Sequence, residues 1–104
     1  MLMPTLDCKR VMFYSPADEA TFFRFAESIK AVRKIEGVRD SIVLHVGSRV
    51  SHASLRDLLA LFERYRISQM SQLAQFLSSS NRSWFADPKK FWHKKVFTDA
   101  TRRI

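Results

Sequence analysis

The pattern of this chain predicts an α+β fold: a three-stranded sheet of order 1-3-2, a split β-α-β, covered by helices and followed by a C-terminal helical arm. Three observations lead there. Two glycines and three prolines in 104 residues leave long uninterrupted segments, which disfavours a sandwich of many short strands. Apolar residues recur at helical spacing in some segments and run continuously in others. An apolar fraction of 46%, with nine phenylalanines, two tyrosines and two tryptophans, supplies core for one domain.

From the N-terminus, Met1 to Lys9 reads as a loosely held leader. Arg10 to Tyr14 is an apolar run of strand length and reads as the first strand. Ser15 and Pro16 form a cap followed by a proline at the first helical position, and Asp18 and Glu19 favour the start of the dipole. Helix one is expected over Pro16 to Lys30, with Phe22, Phe25, Ala26 and Ile29 on its packed face and Phe23 at the margin. Val32 to Glu36 reads as a charged strand near an edge, Gly37 to Asp40 as a turn, and Ser41 to Val46 as the central strand, rich in β-branched residues.

Gly47 to Ala53 is a linker, with Ser54 the expected cap of helix two. Leu55, Leu58, Leu59, Phe62 and Tyr65 make its apolar stripe. Helix three is expected after Ser68, with Met70, Leu73, Ala74 and Leu77 inward and Gln69, Gln72 and Gln75 outward. Asp87-Pro88 is a second cap-and-proline start, and a short helix is expected from Pro88 to Lys95 with Phe91, Trp92 and Val96 on its packed side. The chain reads as one domain over residues 1–104: a leader at 1–9, an α+β core at 10–79 and a basic aromatic arm at 80–104.

The formal charge is +8. From Arg82 onward seven Lys/Arg stand against Asp87 and Asp99, so that segment carries +5. Such a balance attracts polyanions or acidic partners. No apolar run approaches the roughly 18 residues of a membrane span, and Met1 to Arg10 lacks the apolar centre of a secretory signal. The expectation is a cytoplasmic protein without a membrane partner, and the single Cys8 fits a reducing compartment.

Chemistry-bearing motifs are scarce. His45, His52 and His93 are scattered with no metal-ligand spacing, and isolated glycines make no phosphate loop. No metal, cofactor or catalytic residue is expected. Cys8 has Lys9 and Arg10 beside it in the chain, cations that would lower its thiol pKa.

The expected function is that of a small non-catalytic binding or adaptor domain. It meets a protein partner through helix three and the arm, by way of Arg82, Trp84, Lys89, Lys90, His93, Lys94, Lys95, Gln69, Gln72 and Gln75. The alternative is nucleic-acid binding, through the arm's cations and rings or through a helix-turn-helix-like pair over residues 54–78. A homodimer through a sheet edge is a further arrangement open to this topology.

Overall fold

The computed structural model describes residues 4–98. Residues 1–3 of the expected leader and 99–104 of the expected arm, Arg102 and Arg103 among them, lie outside that range. The chain divides into two compact units, Met1–Ser68 and Gln69–Ile104.

The first unit is built on three strands, β1 (Thr5–Lys9), β2 (Val32–Val38) and β3 (Ser41–Val46). β3 lies in the middle and runs antiparallel to both neighbours, with Leu44 opposite Leu6 on one side and Ile35 on the other. The order is therefore the expected 1-3-2. Side chains alternate across a strand. Leu6, Cys8, Leu44 and Val46 are buried on one face, while Thr5, Asp7, Lys9, Val43 and His45 occupy the other.

The first strand is not Arg10–Tyr14, and the stretch from Thr5 to Lys9 is not a leader. Thr-Leu-Asp-Cys-Lys alternates cleanly, and its two apolar side chains pair across β3 with zero exposure. Arg10 ends the strand at φ 52°, and Met12 and Tyr14 emerge 64% and 83% exposed. The four-residue apolar run from Val11 to Tyr14 outweighs a weaker alternation in the sequence, but alternation is what a half-covered sheet requires.

β2 also runs two residues further than expected, through Gly37 and Val38. Val38 pairs with Ser41, so the β2–β3 turn is Arg39-Asp40 alone. Arg39 sits at φ 58°, a conformation costing an L-residue roughly 1–2 kcal/mol. The turn is tied to the end of β1: Arg10 N donates to Asp40 O at 2.9 Å, and the Arg10 guanidinium lies 3.3 Å from the Asp40 carboxylate.

Helix α1 (Pro16–Ser28) starts where the sequence placed it, with Asp18 N donating to Ser15 Oγ at 3.1 Å. It buries Phe22 and Ala26, and Ile29 just past its end; Phe23 is half-buried, its ring against Phe13 and Phe22. Helix α2 (His52–Arg64) starts earlier than expected. Ser51 is its cap, accepting from Ser54 N at 3.1 Å. Ser54 is instead buried, and its Oγ accepts from Ala31 N at 3.2 Å, tying α2 to the segment before β2. The apolar stripe marks where a helix packs, not where its hydrogen bonding begins, so His52 and Ala53 read as linker. Leu55, Leu58, Leu59 and Phe62 are buried, and Tyr65 packs edge-on against Phe22 with centroids 5.0 Å apart.

In the second unit the expected third α-helix is a 3-10 helix, Met70–Phe76, entered through Gln69 at φ 65° with no side-chain cap. A single turn, α3 (Arg82–Phe85), follows, and Lys94–Thr98 forms a π-helical turn. The expected helix from Pro88 to Lys95 is absent. Asp87 caps only a local turn, accepting from Lys89 N at 2.9 Å, and Trp92 is held by its indole N–H on Phe85 O at 2.8 Å. Met70, Leu73, Phe85, Trp92 and Val96 are buried in this unit. Asn81 is buried with them. Its Oδ1 accepts from Ser78 N and its Nδ2 donates to Phe76 O, both at 2.9 Å. No helix among the described residues is long and apolar enough to cross a membrane.

Candidate functional site

The second unit holds all ten residues that the sequence singles out, and the structure divides them by availability. Arg82, Lys89 and Lys90 are exposed. Lys94 and Lys95 are exposed too, each already engaged by a neighbouring group. His93 is half-buried, its ring 5.4 Å from Phe97. Trp84 is half-buried between Phe85 and Trp92, at 5.8 and 6.0 Å. Gln69 is exposed and Gln72 half-buried, while the Gln75 amide is spent on Gln72 O at 2.8 Å.

One aromatic changes sides. Helical phasing places Phe91 on the packed side with Trp92 and Val96. Phe91 is instead 56% exposed, stacked edge-on against Trp92 with centroids 4.9 Å apart. Phe97 is half-buried against Phe85 at 5.0 Å. The α-helical 100° per residue does not apply to a run of turns followed by a π turn, whose i→i+5 bonding advances each residue by less. The outcome is one exposed ring, seated on a buried indole, with Lys89 and Lys90 next to it in the chain.

The 3-10 geometry also bears on the helix-turn-helix expectation. A recognition helix presents base-reading residues over several α-helical turns. Met70–Phe76 is a seven-residue 3-10 helix, with side chains at i and i+3 eclipsed and a rise near 2.0 Å per residue. It does not supply that surface.

The first unit carries a feature that the sequence reading missed. Met12, Tyr14, Asp18, Arg64, Tyr65 and Arg66 line a groove of about 650 Å³. Asp18 accepts from Tyr14 N at 2.9 Å, which fixes the segment leading into α1. Its signal in the sequence is the apolar run that includes Met12 and Tyr14, which reads as a strand and is instead the exposed segment leading into α1.

Groups suited to catalysis are separated. His45 Nε2 lies 2.6 Å from Glu36 Oε1, with Lys34 Nζ 3.8 Å from Glu36 Oε2, on the face of the sheet opposite the buried one. The hydrogen bond from His45, and next the charge of Lys34, holds the Glu36 carboxyl below its ordinary value. Neither His45 nor Glu36 lines the groove. Cys8 corrects an expectation. Burial, and then the charge of Asp7, pushes its thiol up to about 12, so Lys9 and Arg10 do not activate it. Among the described residues no group of three or more His, Cys, Asp or Glu is arranged to hold a metal ion.

The chain matches no protein-family model, no curated protein and no solved structure.

Proposed function

We propose that this protein is a non-catalytic binding module whose second unit engages an acidic protein partner. The observation that carries the reading is Phe91. A large ring 56% exposed, packed against Trp92 and bordered by Lys89 and Lys90, has the make-up of an interface anchor with a charged rim. Burial of Trp92 against Phe85 stiffens the seat of that ring, so little ordering remains to be done on contact. The exposed lysines supply steering toward negative charge. Arg82 extends the cationic edge, and the uncharged Gln69 can join the contact at low desolvation cost.

Nucleic-acid binding is the second reading, favoured by the +5 charge of the chain from Arg82 onward. Non-specific single-strand binders stack successive bases on successive rings. Only Phe91 is exposed among the five described aromatic side chains of the second unit that follow Ser83, which weakens the stacking half of that mechanism.

Fluorescence anisotropy with two labelled probes separates the readings: an acidic peptide bearing leucines, and single-stranded oligo-dT. Saturable peptide binding, weakened about tenfold or more by Phe91→Ala, is the expected result. Peptide binding should persist at moderate salt while oligo-dT is released steeply. Tight oligo-dT binding without peptide binding would transfer the function to nucleic acid. Binding of neither probe would remove both readings.

A further inference from the structure

The groove of the first unit points to a ligand different in kind from the partner of the second. Its volume, about 650 Å³, lies within the range of small-molecule sites. Three kinds of group converge on it. Tyr14 and Met12 offer apolar surface, 83% and 64% exposed. Arg64 and Arg66 bring two guanidinium groups, neither of which is in an ion pair among the described residues. Asp18 has one oxygen committed to Tyr14 N and the other without a hydrogen-bond partner.

Each of these narrows the ligand. Two forked cations suit a phosphate, whose three terminal oxygens and higher charge offer more to a pair of guanidinium groups than the two oxygens and single charge of a carboxylate. An exposed tyrosine ring suits a planar group. A carboxylate oxygen inside an otherwise cationic groove accepts from a hydroxyl donor, and it disfavours a bare anion. A metal ion fits poorly, since Asp18 is the only acidic lining residue.

We propose that the groove binds a nucleoside phosphate, with its base on Tyr14 and Met12, its phosphate on Arg64 and Arg66, and a sugar hydroxyl on Asp18. Arg66 follows the end of α2 at φ 53°, where glycine is the usual residue. The conformation does supply a clean variant: Arg66→Gly removes the guanidinium and leaves a residue at ease in that backbone.

The test is an NMR amide-shift titration of the full chain with AMP, adenosine and inorganic phosphate. AMP should bind saturably, with shifts centred on residues 12–18 and 64–66, and about tenfold more tightly than either fragment. Arg64→Gln and Arg66→Gly should each weaken AMP by about tenfold while leaving the remaining spectrum unchanged. Lys89→Glu/Lys90→Glu should leave AMP binding unaltered. The proposal is overturned by no saturation with AMP, by inorganic phosphate binding as tightly as AMP, or by loss of AMP binding only in the lysine variant. Because the two units carry separate readings, failure here leaves the Phe91 surface untouched.

Discussion

Arg39 occupies the first position of a two-residue hairpin turn, at φ 58°. Hairpin turns of this length favour glycine, asparagine or aspartate at such a φ. Arg39→Gly relieves the left-handed penalty and adds back the greater freedom of glycine in the unfolded chain. The balance should stabilise the first unit by roughly 0.5–1 kcal/mol, read as a higher urea midpoint. A lower midpoint would mean that the arginine side chain contributes something its exposed position does not suggest. The same scale decides an acid response. Glu36 titrates below its ordinary value of 4.5 because His45 hydrogen-bonds its carboxylate and Lys34 lies close by. A depressed folded-state value contributes stability that is complete above 4.5 and is lost as pH falls through the lowered value. The stability gap between the wild type and Glu36→Gln should therefore be open at neutral pH and close on acidification. A gap independent of pH would remove this linkage.

At the scale of elements, the second unit depends on side-chain-to-backbone bonds more than on helix length. A seven-residue 3-10 helix and a one-turn α-helix cannot stabilise themselves. Asn81 closes the link between them by serving both Ser78 N and Phe76 O from a buried position. Asn81→Ala strands a donor and an acceptor and should cost about 1–3 kcal/mol. The readout is specific. Trp84 and Trp92 are the only tryptophans and both lie in the second unit, so indole fluorescence follows its unfolding alone. An unshifted fluorescence transition would show that water replaces the amide without cost. The start of α1 at Ser15-Pro16 was legible in the sequence, whereas the same cap-and-proline signature at Asp87-Pro88 closes only a local turn. Apolar stripes showed which residues pack but neither where a helix begins nor its type. The α2 cap moved from Ser54 to Ser51, and helix three became a 3-10 segment, because a stripe every three or four residues fits both geometries.

At the scale of the whole molecule, charge and aromatic surface are unevenly shared. The segment from Arg82 onward carries +5 and the preceding residues +3. An acidic partner steered by charge should therefore meet the second unit first. Hydrogen exchange in the presence of the leucine-bearing acidic peptide should show protection over residues 82–97 and none in β1–β3. Protection confined to the sheet would place the partner on an exposed strand edge instead, the β-augmentation route.

The sequence by itself determined the fold class, the sheet order, the start of α1 and the concentration of cations toward the C-terminus. These depend on composition, on local capping chemistry and on a β-branched central strand, all readable within a few residues. Tertiary structure decided which of two weak apolar segments became the first strand, because only pairing with β3 rewards the alternation of Leu6 and Cys8 over the run from Val11 to Tyr14. It also decided that Phe91 faces outward while Trp92 is buried with its indole N–H on Phe85 O, in a run of turns without α-helical phasing. Both outcomes turn on contacts with residues outside the segment being read, β3 in one case and the Phe85 carbonyl in the other, and periodicity within a segment carries no information about such contacts.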